Sequence, residues 1–300
     1  MLFGQGEISP STSRCGLAQR GAMYVDEEGI VRRWNGKTLT EQIEIALQPR
    51  PSTIKFAVYE NMGYSGKPDF YALYNIKRTN LLGGQLWTGQ PDRDASPLQS
   101  TITALATTAA AMREDTLHVI DIEHWPFDDP VEGPSYIAML NQLYLWMYAV
   151  KPTLQVGIYS MAPKRDYFRA TKQAPGFDAW EAENDRVEGL VTNAKVILPS
   201  LYAFYPEQDG WVAYAKRNIA EARRYRGDKP VIAYIWPRYH DSNPTLGLQF
   251  LPADYWLRIL ETCKAYTDGI VIWDGANTPW SEQENAPWWI ATKEFLKTIY

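Results

Sequence analysis

The sequence is poor in the residues from which metal centres and disulfide-stapled folds are built. Its 300 residues include two cysteines and three histidines. The cysteines, Cys15 and Cys263, lie far apart and match no zinc-binding or redox spacing. We therefore expect two unpaired thiols, no disulfide framework and no zinc site.

Long apolar runs and an excess of basic residues are also absent. No stretch of about 18 apolar residues occurs, so the sequence predicts no membrane-spanning helix. Residues 1–21 lack the charged start, apolar middle and small-residue cleavage site of a secretory signal, and the cellular location stays open. The 30 Lys and Arg residues are outnumbered by 35 Asp and Glu residues, for a net charge of -5. Without a basic surface we expect no nucleic-acid partner.

Aromatic residues, in contrast, are plentiful. The chain contains 12 Trp and 19 Tyr, within an ordinary globular composition of 45% hydrophobic and 22% charged residues. Flat amphipathic rings build sugar-binding surfaces as well as cores.

Apolar runs typical of strands alternate with helical patterns along most of the chain. The strand candidates are 54–60, 83–89, 117–123, 154–160, 196–203, 231–237 and 269–275, and the helix candidates are 97–113, 136–150, 211–225 and 252–266. This order predicts an α/β fold whose parallel sheet is covered on both faces. Because no Gly-rich phosphate turn follows the first strand, we favour a closed parallel (β/α)7-8 barrel of the TIM type over an open sheet.

The barrel is expected to occupy residues 51–300. Residues 1–50 are interpreted as a lead-in and capping segment of the same domain, with a short hairpin or a capping strand near 23–34 that turns at Glu28 and Gly29. Polar and aromatic residues collect where the predicted strands end, which is where such barrels carry their active sites. They are Tyr59, Glu60, Trp87, Asp121, Glu123, Tyr159, Tyr202, Trp236 and Trp273.

Two acids in the stretch LHVIDIEHWPFDDP, Asp121 and Glu123, carry the strongest chemical signal. Side chains two apart on a strand share a face, at roughly 6.5 to 7 Å between Cα atoms. His118 and His124 fall on the opposite face, which disfavours a metal site that combines them with the acids. A carboxylate pair of this kind can hold one member protonated and the other ionised, as in glycosidase acid/base catalysis.

The segment VIDIEHWP resembles the strand motif of the hyaluronidase family of glycoside hydrolases, in which an Asp and a Glu two apart precede an aromatic residue and a Pro. Further blocks resemble the family in the same order: ILPSLYAFYP, KPVIAYIWPRYHDSN, and the closing helix and strand that end in GIVIWDG. The resemblance spans roughly residues 54–280 and is close only in these blocks. It implies a barrel that cleaves N-acetylhexosamine polysaccharides.

The resemblance also implies roles for individual residues. Glu123 would be the general acid, and Asp121 would orient and polarise the substrate's own N-acetyl group, which attacks the anomeric carbon without an enzyme nucleophile or a cofactor. Six other residues would bind the sugar: Tyr202 and Tyr159 at the acetamide, Asp241 and Trp273 elsewhere in the cleft, and Tyr59 or Tyr64 from a loop that aligns poorly.

The chain departs from the animal enzymes of that family in lacking their disulfides, their cysteine-rich extension and an Arg shortly after the Glu–aromatic pair. An N-acetylhexosamine polymer other than hyaluronan is an equal alternative, since the chain is net acidic. Two other functions stay open. One is a carbohydrate-binding barrel without turnover, and the other is a cell-wall lysozyme that uses Asp241 or Asp274 as a second carboxylate.

Overall fold

The structure is a computed structural model that describes residues 23–25, 31–33, 49, 55–171, 175–225, 229–275 and 278–300. Strands β1 (Met23–Val25) and β2 (Val31–Arg33) pair antiparallel, so of the two predicted alternatives the hairpin is the one observed. Its turn, Cys15 and most of the lead-in lie outside the described residues. The remaining strands are β3 (Ala57–Met62), β4 (Lys77–Leu82), β5 (Leu117–Ile120), β6 (Gln155–Ile158), β7 (Ile232–Ile235) and β8 (Gly269–Asp274).

These six strands form one parallel sheet in the order β6-β5-β4-β3-β8-β7. The segment 196–203, expected to be a strand, makes isolated parallel bridges instead. On one side Leu198 bridges Tyr159, just after β6, and on the other side Ser200 bridges Tyr234 in β7. Both edge strands of the sheet therefore contact the same segment.

Gly157 permits the close approach of β6 to this segment. A Cβ atom built on Gly157 would lie 2.6 Å from the carbonyl oxygen of Val196, a distance that side chains do not tolerate. The absence of a Cβ is thus a requirement of the backbone packing at this edge of the sheet.

Seven helices accompany the sheet within the described residues. They are α1 (Phe70–Tyr74), α2 (Gln99–Ala110), α3 (Gly133–Val150), α4 (Phe177–Val187), α5 (Gln208–Arg224), α6 (Ala253–Tyr266) and α7 (Pro287–Leu296). The strands' outward side chains pack against helices in two large clusters, while inward side chains such as Val119, Leu198 and Val271 form a third. The helical face is rich in buried tryptophans, including Trp211, Trp256 and Trp288. Most of the aromatic excess is therefore core.

The prediction of a strand at 83–89 is wrong. Residues Gly84–Trp87 form a 3₁₀ turn, and the strand of this region is the preceding β4, KRTNLL. Its polar residues give a weak strand signal, and its pairing with β3 and β5 overrides that preference. Trp87 accordingly packs on Trp125 at 5.7 Å and donates its indole N–H to the carbonyl oxygen of Ala95, away from the strand ends.

Candidate active site

The acid pair Asp121 and Glu123 follows β5 at the carboxyl end of the sheet. The backbone N–H of Asp121 donates to the carbonyl oxygen of Leu82 at 2.9 Å, which continues the β-ladder one residue past the strand. Because Val119 points into the interior layer and Ile120 packs against the helices, the alternation turns Asp121 inward. Asp121 is half-buried and Glu123 is exposed.

A cavity of about 220 Å³ opens at these residues. It is lined by Asn61, Leu81, Asp121, Glu123, Tyr159, Arg165, Tyr202, Tyr234, Trp236, His240, Asp241 and Trp273. Six of the residues proposed from the sequence therefore meet in one place: the two acids, Tyr159, Tyr202, Asp241 and Trp273. They come from loops and strand ends that are up to about half the chain apart.

Partial desolvation of the carboxyl groups in the cavity raises the pKa of both acids, although Glu123 as a whole residue is exposed. For Asp121 the cause is desolvation alone, and for Glu123 desolvation is reinforced by the negative charge of Asp121 and opposed by the positive charge of Arg165. A raised pKa favours the protonated form of Glu123 at higher pH than for a free glutamic acid, which is the property that a general acid needs. The pair thus interacts electrostatically within one cavity.

Aromatic side chains line the same cavity as the acids. Tyr202 stacks on Trp273, with 5.7 Å between ring centroids and an interplanar angle of 22°. The Tyr159 hydroxyl donates to Ser200 Oγ at 3.3 Å. Burial raises the pKa of the Tyr159 and Tyr202 hydroxyls, so both stay protonated and can donate hydrogen bonds.

Arg165 is a cavity residue that the sequence did not reveal. It lies in the loop after β6, where its Nη1 atom is 3.4 Å from Ser200 Oγ and its guanidinium lies 4.9 Å from the centroid of the Phe204 ring. No motif marks it. The chain lacks an Arg directly after its Glu–aromatic pair, yet a different loop brings a guanidinium to the same cavity.

The rim carries His240 and Asp241. The Nδ1 atom of His240 lies 3.0 Å from a carboxylate oxygen of Asp241 and accepts from the backbone N–H of Ser242 at 3.2 Å. Burial and then Arg165 lower the pKa of His240, while Asp241 raises it. The Asp241 side chain is 67% exposed, so it faces solvent at the mouth of the cavity.

The structure does not bring Tyr59 or Tyr64 into this cavity. Tyr59 is a buried residue of β3 that lines a separate cavity of about 430 Å³ together with Lys55, Arg223 and Asp268. Strand β3 continues to Met62, two residues beyond the predicted end, so the next inward residue, Asn61, reaches the acid pair instead. Tyr59 therefore lies one inward-facing position below the cavity, on the side away from the strand end.

Tyr64 belongs to a buried cluster around Asp274. The Tyr64 hydroxyl donates to Asp274 Oδ2, and Arg238 Nε donates to the same oxygen at 2.9 Å. Asp274 is only 1% exposed and does not line the cavity of the acid pair. This placement makes Asp274 a structural carboxylate at the end of β8 and leaves Asp241 as the additional acid of the cavity.

The histidines of the acid-pair motif lie apart from the two acids. His118 is buried, and its Nδ1 atom is 3.1 Å from Asn80 Nδ2, while His124 Nε2 is 3.0 Å from the carbonyl oxygen of Arg93. Across the described ranges, no three His, Cys, Asp or Glu side chains are grouped so that they could hold a metal ion. Nor is any helix there both long and apolar enough to cross a membrane.

The fold and the site define a class of protein. It is an α/β protein with a six-stranded parallel sheet covered by helices, and an acid pair and aromatic rings line a cavity at the carboxyl ends of the strands. In parallel α/β barrels this end of the sheet carries the active site. The same end of the sheet here carries the cavity, as expected from the sequence.

Comparison with solved structures agrees with that class. No family model matches the chain, and no curated protein matches it. A structure of bee venom hyaluronidase with a hyaluronic acid tetramer is 16% identical, with a TM-score of 0.54, over 82% of this chain and 97% of that chain. A monoclinic crystal structure of bee venom hyaluronidase is 16% identical, with a TM-score of 0.54, over 81% and 98%. The likeness shows a shared fold.

A chitinase of glycoside hydrolase family 18 from Pseudoalteromonas aurantia gives a lower TM-score of 0.40, at 15% identity, over 73% of this chain and 76% of that chain. The likeness in fold therefore rests on the two bee venom hyaluronidase structures, which share the fold of this chain.

Proposed function

We propose that the protein is a glycoside hydrolase that cleaves an N-acetylhexosamine-containing polysaccharide by a substrate-assisted, retaining mechanism. The observation that carries the proposal is the meeting of Asp121 and Glu123 in one aromatic-lined cavity, where partial desolvation raises the pKa of each. The fold shared with bee venom hyaluronidase and the VIDIEHWP motif support the same conclusion, and with it a place in the hyaluronidase-like group.

In the first step, Glu123 gives its proton to the glycosidic oxygen while the acetamide oxygen of the bound sugar attacks the anomeric carbon. The bond between that carbon and the leaving oxygen breaks, and a cyclic oxazolinium ion forms. Asp121, half-buried, accepts a hydrogen bond from the acetamide N–H and stabilises the positive charge of the ring.

In the second step, the Glu123 carboxylate takes a proton from water, and the oxygen of that water attacks the anomeric carbon. The oxazolinium ring opens, the acetamide is restored, and the configuration of the sugar is retained. Tyr202 and Tyr159 are proposed to hold the acetamide, and Trp273 to form the wall against the sugar ring.

We also propose that the sheet closes into a barrel through the segment 196–203. The bridges from Leu198 to Tyr159 and from Ser200 to Tyr234 support closure, because they connect the two edge strands. The closed barrel would then comprise residues 51–300, with residues 1–50 as its lead-in.

Product stereochemistry and substitution of Glu123 test the mechanism. Glu123→Gln removes the proton but preserves the side-chain shape, and we expect hydrolysis to fall by about 10²–10⁴-fold. Circular dichroism should show an unchanged fold, and ¹H NMR of the first product formed by the unsubstituted protein should show the retained anomer. Near-full turnover by Glu123→Gln would refute the assignment of the general acid.

A cell-wall lysozyme with a second carboxylate is the other candidate, because Asp241 lines the same cavity. Asp241→Asn would abolish that activity if Asp241 were a nucleophile or base. Under the substrate-assisted mechanism, Asp241→Asn should retain most of the rate, since its side chain is largely in solvent. Digestion of peptidoglycan, chitin oligomers and glycosaminoglycans separates the two functions.

A further inference from the structure

The loop after β6 presents one side chain to the cavity and another to solvent. Arg165 lines the cavity, whereas Phe168, three residues later, is 44% exposed. An exposed phenylalanine is ordinary when it is isolated on a surface. This one is in contact with other rings, at 5.2 Å from Tyr167 and 5.6 Å from Tyr205.

Ion pairs fix the backbone on both sides of Phe168. Arg169 donates from its backbone N–H and from Nε to the two carboxylate oxygens of Asp166, each at 2.7 Å. Its two terminal nitrogens bind both oxygens of Glu183 in α4, at 2.8 and 2.9 Å. Arg169 holds the pKa of Glu183 near 2, so this carboxylate stays ionised. The loop is therefore held in place while it displays an apolar ring to water.

Lys164 secures the same loop from its other end. It pairs with Asp128, in the loop that follows Glu123, and with Glu183 at 3.2 Å. Ion pairs thus connect the loop that contains Phe168 to the loop that follows the acid pair.

A continuous set of aromatic rings leads from Phe168 to the cavity. Tyr205, which is partly exposed, lies 6.4 Å from the ring of Phe204. Phe204 in turn lies 4.6 Å from His240 and 4.9 Å from Arg165, and both of those residues line the cavity.

We propose that the exposed ring of Phe168, with the Tyr205 ring tilted beside it, is an outer platform that binds a pyranose ring of the glycan chain beyond the sugar held at the acid pair. The proposal rests on the proposed function and adds a subsite to it. The C–H groups on the face of a pyranose pack on an aromatic ring, and burial of the exposed Phe168 surface would favour binding. Because ion pairs already fix the loop, little conformational entropy is lost when the sugar binds.

The platform makes a specific demand on substrate length. A chain long enough to reach Phe168 should gain affinity, whereas the shortest oligosaccharide that fills the cavity should not. Removal of the Phe168 ring should therefore weaken the binding of long substrates selectively, and a tryptophan at this position should restore it.

The test compares Phe168→Ala, Phe168→Trp and the control Leu145→Ala on N-acetylhexosamine oligosaccharides of increasing length. Leu145 suits the control because it is 49% exposed on the long helix α3. We expect Phe168→Ala to lower kcat/KM about fivefold to tenfold on long chains, mainly through KM, with no change on the shortest cleaved chain. Phe168→Trp should recover the loss, and Leu145→Ala should match the unsubstituted protein.

Binding of the same chains to Glu123→Gln, measured by calorimetry with and without Phe168→Ala, separates this proposal from the proposed function. If no glycan is cleaved but Phe168→Ala still weakens long chains selectively, the platform stands and the hydrolase does not. If glycans are cleaved and Phe168→Ala lowers kcat/KM equally for chains of every length, or for chains of no length, the platform is wrong. If no chain is bound or cleaved, both proposals are wrong.

Discussion

Removing the charge of Asp121 should change both the rate and the pH dependence of hydrolysis. Asp121→Asn keeps the size of the side chain but leaves no anion beside the acetamide or beside Glu123. Since the negative charge of Asp121 raises the pKa of Glu123, its loss should lower that pKa. Glu123 acts in its protonated form, so activity falls as pH rises through its pKa. The alkaline limb of the pH–rate profile should therefore move to lower pH.

The loss of rate follows from the contact that Asp121 is proposed to make. A hydrogen bond to a charged group is worth about 1.5–3 kcal/mol, which corresponds to roughly a 10- to 150-fold loss of kcat when the interaction exists only in the transition state. Asp121 is half-buried, so water replaces this contact poorly.

Initial rates of oligosaccharide cleavage from pH 3 to 9, with kcat and kcat/KM separated, provide the assay. Glu123→Gln serves as the matched control, because its residual rate should show no alkaline limb from this residue. An Asp121→Asn variant whose alkaline limb moves to higher pH, or whose rate stays within twofold of the unsubstituted protein, would refute the reasoning.

Three further predictions follow from neighbouring contacts. Arg165→Gln removes the charge that lowers the pKa of Glu123, so the alkaline limb of its pH–rate profile should move to higher pH, opposite to Asp121→Asn. Arg238→Met removes the guanidinium that pairs with Asp274, while the Tyr64 hydroxyl still donates to that carboxylate, and should cost about 1–3 kcal/mol in urea unfolding, with most of this loss removed by adding Asp274→Asn. Gly157→Ala forces its Cβ against the carbonyl oxygen of Val196 and should cost about 1–3 kcal/mol in the same measurement; an unchanged stability would contradict the close approach of this segment to β6.

The orientation of the side chains at β5 could be predicted because it depends only on the alternation of neighbouring residues along one strand. Strand alternation alone places Asp121 on the inward face, and the structure puts it there, with Ile120 and Ile122 packed outward. The main strands and crossover helices were recognisable for the same reason, since their apolar runs are long and periodic.

The features that the sequence did not predict depend on tertiary contacts instead. Strand β4 is polar in sequence and owes its structure to its neighbours β3 and β5, which no local pattern reports. Tyr59 was misplaced because the end of a strand decides which inward residue reaches the rim, and element boundaries are the least certain feature of a sequence. Arg165 lies in a loop without periodicity, and only tertiary packing brings it to Glu123.

The most direct test of the central claim is the affinity of the cavity for a thiazoline mimic of the cyclic intermediate. If the acetamide is the nucleophile and Asp121 stabilises the ring that it forms, the thiazoline should bind at least about 10²-fold more tightly than the corresponding N-acetylhexosamine. Titration calorimetry on the unsubstituted protein measures both affinities. A thiazoline that binds no more tightly than the simple sugar would contradict the substrate-assisted mechanism proposed for Asp121 and Glu123.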